Sequence, residues 1–342
     1  MQKEITEAIP LLDGNGNLTC AGFARKLLPV YKSPVSFKER FRTKQWDYYY
    51  VGNNHYGLCL TIDDNGYMGL DSVSFLDFDN KWEITKSPMQ VMTLGKKNLP
   101  TTSERGDLRS GSANYNITFR NDGNERRLEG FMNNFRGKET IIFEVRLTDI
   151  PEESMVIVTP FDKPGHYYYN QKINCMKASG KVTIGEQEYY FNEQDSFGTL
   201  DWGRGIWTYE NTWYWSSLST RVNGIPFGFN LGYGFGDTSA ASENMLFFDG
   251  KAHKLDQVTF HIPQKDGKDD FMSPWTFTSN DYRVTLDFTP IIDRAACTNA
   301  GVILSDQHQV FGRFSGECVL DDGTIIQIED AVGFAEKVHN KW

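Results

Sequence analysis

Hydrophobic and polar residues alternate with a period of two along much of the chain. In "IIFEVRLTDI" the apolar side chains of Phe143, Val145 and Leu147 fall on one face, and the residues between them are charged or polar. "RVTLDFTP", which starts at Arg283, repeats this pattern. A period of two is typical of strands with one buried face. Helical periodicity is scarce, so the pattern predicts a nearly all-β protein.

Short turn sequences separate these alternating segments. They include "DGNGN", "DDNG", "NDGN" and "DDG". Asp, Asn and Gly favour tight turns because they tolerate left-handed backbone conformations or bond to their own backbone. Strands joined by such turns pair antiparallel, so we expect antiparallel sheets.

One segment, "FGFNLGYGFG" (227–236), has two very different faces. Bulky side chains occupy one face, and the other carries glycines and Asn230. A strand with almost no side chains on one face allows another group to approach its backbone closely. That group is either a bent neighbouring strand or a ligand, which makes Asn230 a candidate ligand-binding residue.

A repeat relates the two halves of the chain. Three pairs of residues share an offset of 135 positions, and a fourth pair is offset by 136. The pairs are Gly198 with Gly333, Asp201 with Glu336, Trp207 with Trp342, and Gly180 with Gly316. Weaker similarities relate "WDYYY" to "WYWSS" and "YGLCLTI" to "FGFNLGY". We therefore predict a duplicated antiparallel β-barrel, with an N-terminal half at 1–207 and a C-terminal half at 208–342.

Composition narrows the class of protein. Aromatic residues make up 14% of the 342 positions, which suits pleated sheets. The net charge of −10 argues against nucleic acid as a partner. No apolar run approaches the roughly 18 residues of a membrane span, and the first residues lack an apolar signal region. The five cysteines are widely scattered, so reduced thiols and a cytoplasmic location are expected.

The segment "DWGRGIWTYENTWYW" holds half of the eight tryptophans together with Asp201 and Arg204. A carboxyl group among aromatic rings is desolvated, which keeps it protonated and able to donate a proton to an alkene or enol ether. The alternative is a structural ion pair between Asp201 and Arg204. Trp213 and Trp215 share strand parity, so both are expected to face a cavity near the junction of the halves. The candidate ligand-binding tryptophans are Trp202, Trp207, Trp213 and Trp215.

Further polar residues are candidates for the same site. Glu243 and Asn244 follow the glycine-faced strand, where an acid and an amide could orient a polar ligand group or simply form a turn. His166 precedes three tyrosines and is a candidate acid or base, or a surface residue. The six histidines lack metal-ligand spacing, and no dinucleotide fingerprint is present. We expect neither a metal nor a cofactor.

Several of these motifs occur in an order that resembles a known family. The block "DWGRGIW…WYWSS…GIPFGFNLGYGFGD", with "KQWDYYYV", "HYYYNQK" and "GFAEKVHNKW", resembles domain of unknown function 2804 over nearly the whole chain. At greater distance the chain is similar to two-domain lipocalin-like proteins, which include carotenoid hydratases, tocopherol cyclases and fungal Diels–Alder cyclases. The resemblance implies a lipocalin-like two-barrel fold and assigns no chemistry.

Two classes of function fit these observations. The first is a protein that binds an apolar or amphipathic small molecule in an aromatic-lined cavity, either as a carrier or as a cofactor-independent isomerase, cyclase, hydratase or lyase. In the enzymatic form Asp201 is the acid, and Arg204, Glu243 and Asn244 position the substrate. The alternative is a carbohydrate-active or glycan-binding protein with paired carboxylates and stacking tryptophans.

Overall fold

The computed structural model describes residues 2–299 and 304–341 and is built almost entirely of antiparallel strands. The predicted all-β fold is confirmed. The alternating segment at Phe143, Val145 and Leu147 forms a strand whose apolar side chains are buried while the residues between them are not. Within these ranges one short helix is present, α1 (Phe37–Arg42), capped by Ser36 and Glu39. No helix in the described part of the chain is long and apolar enough to cross a membrane.

The first half of the chain supplies sixteen strands within the described residues. They are β1 (Ile9–Pro10), β2 (Gly22–Ala24), β3 (Pro29–Val30), β4 (Lys44–Gly52), β5 (Tyr56–Asp64), β6 (Met68–Asp77), β7 (Trp82–Lys86), β8 (Met89–Val91), β9 (Leu108–Gly111), β10 (Tyr115–Asn121), β11 (Arg126–Arg136), β12 (Glu139–Thr148), β13 (Met155–Pro160), β14 (Tyr167–Ile184), β15 (Gln187–Phe191) and β16 (Phe197–Ile206). Fourteen of these form one large sheet, and β1 and β3 form a small parallel pair.

The second half of the chain supplies the remaining strands of the described residues. They are β17 (Glu210–Val222), β18 (Ile225–Tyr233), β19 (Met245–Phe248), β20 (Lys251–Lys254), β21 (Val258–His261), β22 (Gln264–Lys265), β23 (Lys268–Asp269), β24 (Trp275–Ser279), β25 (Val284–Asn299), β26 (Leu304–Val319) and β27 (Ile325–Lys341). Nine of them form a second sheet, and β22 and β23 form a separate hairpin.

The two sheets have similar strand orders. The first runs β7-β6-β5-β4-β16-β14-β12-β11-β10-β9, and the second runs β20-β19-β18-β17-β27-β26-β25-β24-β21. In each sheet the last strand of the half, β16 or β27, pairs with an early one, β4 or β17. "WDYYY" and "WYWSS" lie in β4 and β17, which hold corresponding places in this order. The duplication and the division at 207/208 stay predictions, and Trp342 lies outside the described residues.

Each sheet encloses its own core, and two further clusters of described apolar residues lie in the interface between the sheets. In this interface the ring of Tyr50 from β4 contacts Phe311 and Phe334, at centroid distances of 5.3 and 5.7 Å. The glycine-faced strand β18 belongs to the same region, since a Cβ atom at Gly228 would lie 2.7 Å from Cys175 Sγ of β14. A neighbouring strand therefore occupies the space that this glycine leaves free.

Gly180 and Gly316, which the repeat pairs, share an unusual backbone geometry. Their φ angles are +139° and +134°. An added Cβ would lie 2.2 Å from the Glu144 carbonyl oxygen at Gly180 and 2.3 Å from the Thr285 carbonyl oxygen at Gly316. Strand–strand contact in both sheets therefore requires glycine at these positions.

We expect Gly316→Ala to destabilise the protein by about 1–3 kcal/mol, because alanine is strained at this φ and its Cβ meets a neighbouring strand. Gly14→Ala is the control, since a Cβ there has no neighbour within 4 Å; its effect should stay within about 0.5 kcal/mol. Urea unfolding measures both. Equal midpoints for the two variants would contradict the argument.

Candidate functional site

A cavity of about 170 Å³ lies between the two sheets and is lined from both of them. Its lining combines carboxyl groups, one lysine and many aromatic rings. The lining residues are Trp46, Thr61, Asp63, Asn65, Tyr168, Lys172, Asp201, Trp207, Trp213, Trp215, Phe235, Glu243, Gln307, Glu336 and Asn340. An apolar cavity of about 150 Å³ holds one benzene ring, so this volume suits a single ring with a short substituent.

Asp201 and Lys172 face the cavity from adjacent strands. They are directly opposite each other in the β14–β16 ladder, which places both side chains on the same face of the sheet. Lys172 Nζ lies 3.1 Å from Asp201 Oδ1. The Asn170 amide donates a hydrogen bond of 2.5 Å to the same oxygen. These two donors fix the position of the Asp201 carboxyl group beside the cavity.

Lys172 is the cationic centre of the cavity. Only 3% of its surface is exposed. Its ammonium group lies 4.1 Å from the ring centroid of Trp215, 3.9 Å from Glu243 Oε2 and 3.4 Å from the hydroxyl of Tyr168, to which it donates. A buried charge is tolerated when it is paired and hydrogen-bonded, and here carboxylates and an aromatic face provide both.

Glu243 reaches the cavity because a glycine leaves room for it. A Cβ at Gly232 would lie 2.6 Å from Glu243 Oε1. Asn230 holds this segment in place, because its side-chain amide donates a hydrogen bond of 2.7 Å to the Glu243 carbonyl oxygen. It also accepts a hydrogen bond of 2.7 Å from the indole N–H of Trp215. The side chain of Asn244 accepts a hydrogen bond from the Gly232 backbone N–H. Burial raises the pKa of Glu243, and Lys172 partly offsets this shift.

Glu336 enters the same cavity from β27 of the second sheet. The indole N–H of Trp213 donates a hydrogen bond of 2.9 Å to Glu336 Oε1, and the Gln309 amide donates one of 3.0 Å to Glu336 Oε2. Arg294 in turn donates to Gln309 Oε1. Burial raises the pKa of Glu336 to about 7, although the Trp213 hydrogen bond and the charge of Lys172 act in the opposite direction. A carboxyl group with this pKa can donate or accept a proton near neutral pH.

Aromatic rings form one continuous wall of the cavity. Trp207 is central, with its ring centroid 5.3 Å from Trp46, 5.9 Å from Trp213 and 4.9 Å from Phe235. Tyr168 completes the wall, 4.8 Å from Phe235. Most of these contacts are edge-to-face, which is a favourable arrangement for packed rings.

A second polar group lines the cavity from β5 and from the pair β26 and β27. It comprises Thr61, Asp63 and Asn65 on one side and Gln307 and Asn340 on the other. Asp63 accepts a hydrogen bond from the backbone N–H of Leu70. Burial raises the pKa of Asp63 to about 7. The cavity therefore offers more hydrogen-bond acceptors than the Asp201–Lys172 pair alone.

The expected ion pair between Asp201 and Arg204 is wrong. The two residues are three positions apart on β16, and strand alternation directs them to opposite faces. Arg204 is fully buried in the first sheet and donates a hydrogen bond of 2.9 Å to the Asp47 carboxylate. Its guanidinium lies 4.2 Å from the ring centroid of Trp202, which is also fully buried. Neither Trp202 nor Arg204 lines the cavity.

The remaining predicted residues divide into two groups. Trp207, Trp213 and Trp215 line the cavity, and the shared parity of Trp213 and Trp215 places both on it. His166 does not; its ring contacts Arg42 and the Pro164 carbonyl. Asn230 and Asn244 lie behind the lining, where they hold the Glu243 segment.

Sequence analysis overlooked Lys172 as a site residue. The segment "HYYYNQKINC" does not alternate, and the register of β14 against Asp201 is tertiary information. Glu336 appeared as the partner of Asp201 in the repeat, and the structure brings the two into one cavity. Trp46 and Tyr168 lie in aromatic strands whose cavity-facing side the sequence did not identify.

Among residues 2–299 and 304–341, no group of three or more His, Cys, Asp or Glu side chains could hold a metal ion. The site consists instead of buried carboxyl groups around a single lysine, in an aromatic cavity between two sheets. Fold and site together define an all-β protein of two large sheets with an internal cavity lined by aromatic rings and carboxyl groups.

Comparison with known proteins identifies the family. The family described as Domain of unknown function (DUF2804) matches residues 2–342, so the chain belongs to it. No curated protein matches the sequence.

Solved structures share the fold at low identity. Kievitone hydratase from Nectria haematococca has a TM-score of 0.56 and 12% identity, covering 86% of this chain and 88% of that one. A putative AttH from Nitrosomonas europaea has a TM-score of 0.54 and 12% identity, covering 91% and 99%. CghA has a TM-score of 0.50 and 11% identity, covering 100% and 97%. At this identity the likeness concerns the fold.

Replacing Lys172 with Met should destabilise the protein by about 3–5 kcal/mol, because it leaves the buried carboxylates unpaired. Lys181→Met on the same strand is the matched control. Its pair with Glu188 is solvent-exposed, so its loss should cost at most about 1 kcal/mol. Chemical denaturation compares the two; similar losses would show that the Lys172 charge is not needed for folding.

The raised pKa of Glu336 predicts a dependence of stability on pH. Its pKa is about 7 in the folded protein, against 4.5 for a free glutamate. The folded state therefore binds more protons in this window, and stability decreases as pH rises through it. Glu336→Gln removes this contribution, so its free energy of unfolding should fall less steeply than that of the wild type between about pH 5 and pH 8.

Glu144→Gln is the control for this measurement, because Glu144 is exposed on β12. It should keep the wild-type slope. Asp63, whose pKa is also raised to about 7, contributes to the decrease of stability with pH in every variant. A Glu336→Gln slope identical to that of the wild type would show that Glu336 is ionised throughout the range.

Proposed function

We propose that this protein is a cofactor-independent enzyme that uses acid–base chemistry on an amphipathic small molecule bound between its two sheets. The observation that carries the proposal is the arrangement of Asp201, Glu243 and Glu336 around Lys172 in an aromatic-lined cavity. Buried carboxyl groups with different partners divide naturally into a proton donor and a proton acceptor. The reaction classes are hydration, isomerisation, cyclisation and lyase chemistry.

The partners of each carboxyl group suggest its role. Glu336 has a pKa of about 7 and therefore keeps a substantial protonated fraction at neutral pH. Asp201, expected from the sequence to be the acid, pairs with Lys172 and accepts a hydrogen bond from Asn170. This arrangement suits a group that accepts a proton. We assign Glu336 as the donor and Asp201 as the acceptor.

A hydration illustrates how these groups work together. Glu336 transfers its proton to one carbon of a substrate double bond, and the aromatic wall stabilises the positive charge that develops on the other. A water molecule forms the new carbon–oxygen bond there and passes its extra proton to Asp201. In an isomerisation or cyclisation the cation loses a proton or closes a ring instead. Lys172, 3.1 Å from Asp201 Oδ1, holds this carboxyl group in position.

The shared fold supports a small-molecule reaction of this kind. Kievitone hydratase, by its name a hydratase, has a similar fold. At 12% identity the similarity supports the proposed class and leaves the substrate to experiment.

A carbohydrate-active enzyme is the second candidate. Asp201 and Glu243 both lie close to Lys172 Nζ, so the Asp201 and Glu243 oxygens nearest to it are at most about 7 Å apart, a bound that includes the roughly 5–5.5 Å separation of retaining glycosidases. The ammonium group lies beside both carboxylates, however, and occupies the place where a sugar ring would bind. The hydration, isomerisation, cyclisation or lyase chemistry proposed above is therefore better supported than glycoside hydrolysis.

Turnover in D₂O tests the proposal. A panel of amphipathic alkenes and enol ethers, with aryl glycosides as the second arm, is incubated with the wild type and analysed by mass spectrometry. We expect a substrate to gain deuterium or the elements of D₂O. Glu336→Gln and Asp201→Asn should each reduce the rate by about 10²-fold or more, as expected for loss of a general acid or base.

Glu144→Gln serves as the control and should retain the wild-type rate. Circular dichroism verifies that every variant is folded. Full turnover in both Glu336→Gln and Asp201→Asn would overturn the assignment. Hydrolysis of glycosides without reaction of alkenes would favour the second candidate.

A further inference from the structure

Carboxyl groups outnumber cationic groups in the lining of the cavity. Among the fifteen described residues that form it, four carry carboxyl groups and Lys172 alone carries a cationic group. The carboxyl groups belong to Asp63, Asp201, Glu243 and Glu336. The ammonium group of Lys172 pairs most closely with Asp201, and the other carboxyl groups border a space large enough for a ligand.

Among the described residues that line the cavity, two buried acceptor atoms have no hydrogen-bond donor, Glu243 Oε2 and Asn340 Oδ1, and only the first belongs to a carboxyl group. Glu243 is only 9% exposed, and its Oε2 is buried without a hydrogen bond. The nearest cation, Lys172 Nζ, is 3.9 Å away and is bonded instead to Asp201 at 3.1 Å. A buried acceptor left unpaired is unfavourable, and a ligand that donates a hydrogen bond to it would recover that free energy.

Lys172 itself illustrates how a cation binds in this cavity. Its ammonium lies over the ring of Trp215 at 4.1 Å and beside a carboxylate. Further rings line the same space next to Glu336 and Glu243, including Trp207, Trp213 and Phe235. Aromatic faces combined with carboxylates are a favourable environment for a positively charged amine.

We propose that the ligand of this cavity is an amphipathic amine, bound as its ammonium form with Glu243 as its main partner. This inference deepens the proposed function and depends on it only for the identity of the site. The ammonium donates to Glu243 Oε2, and the apolar part of the ligand packs on the aromatic wall. A carboxylate or phosphate ligand is disfavoured because it would meet four carboxyl groups, and the single cation is already engaged.

Three probes of matched size test the proposal by isothermal titration calorimetry on the intact protein. They are 2-phenylethylamine, 2-phenylethanol and 3-phenylpropionate, each a single ring with a short substituent, as the cavity volume suggests. The amine should bind about tenfold or more tightly than the alcohol, since a charge-assisted hydrogen bond contributes more than a neutral one. The carboxylate should not bind measurably.

Glu243→Gln identifies the partner. It should weaken binding of the amine by about tenfold or more and leave binding of the alcohol within about twofold. Glu144→Gln is the control and should change neither. If Glu243→Gln does not fold, the comparison of the three probes on the wild type still decides the question.

Equal affinities for amine and alcohol, tighter binding of the carboxylate, or no binding of any probe would each overturn the amine proposal. These outcomes are distinct from failure of the proposed function. Deuterium incorporation into an uncharged alkene would support the proposed enzymatic function and contradict the amine proposal. Selective amine binding without turnover of any panel member would support the amine and favour carriage over catalysis.

Discussion

The buried ammonium group of Lys172 is the interaction on which the site depends. A lysine with 3% exposure is costly to bury unless its charge is compensated. The compensation comes from Asp201 on the adjacent strand, from Glu243 in the loop after β18 and from the ring of Trp215 on β17. Both halves of the chain therefore contribute to one charge cluster, and the seam between the sheets is fixed by electrostatics as well as by packing.

The seam also explains the electrostatics of the cavity. Six of the fifteen described residues that line it are tryptophan, tyrosine or phenylalanine, whose rings exclude water and strengthen the charge interactions inside. Burial raises the pKa of Glu243, and raises those of Glu336 and Asp63 to about 7. Asp201, by contrast, receives a cation and an amide on one oxygen. The same environment thus treats chemically similar carboxyl groups differently, which is the requirement for acid–base work.

A second buried ion pair shows what a purely structural pair looks like in this fold. Arg204 donates to Asp47 and to the carbonyl oxygens of Trp46, Gly203 and Pro100, so most of its donors are occupied. It lies within the first sheet and does not line the cavity. The Lys172 cluster differs because it borders an open space and leaves Glu243 Oε2 without a donor.

The sequence by itself determined the fold class and much of the aromatic wall, because strand periodicity, turn residues and side-chain parity are local properties. Parity alone places Trp213 and Trp215 on one face, and it also separates Asp201 from Arg204, which stand an odd number of positions apart. Only the tertiary structure decided which charges meet. Lys172, Glu243 and Glu336 lie on different elements, and their meeting depends on the register of β14 against β16 and on the packing of one sheet against the other. No local pattern encodes those long-range pairings, since the free energy that selects them comes from burial shared between the two halves.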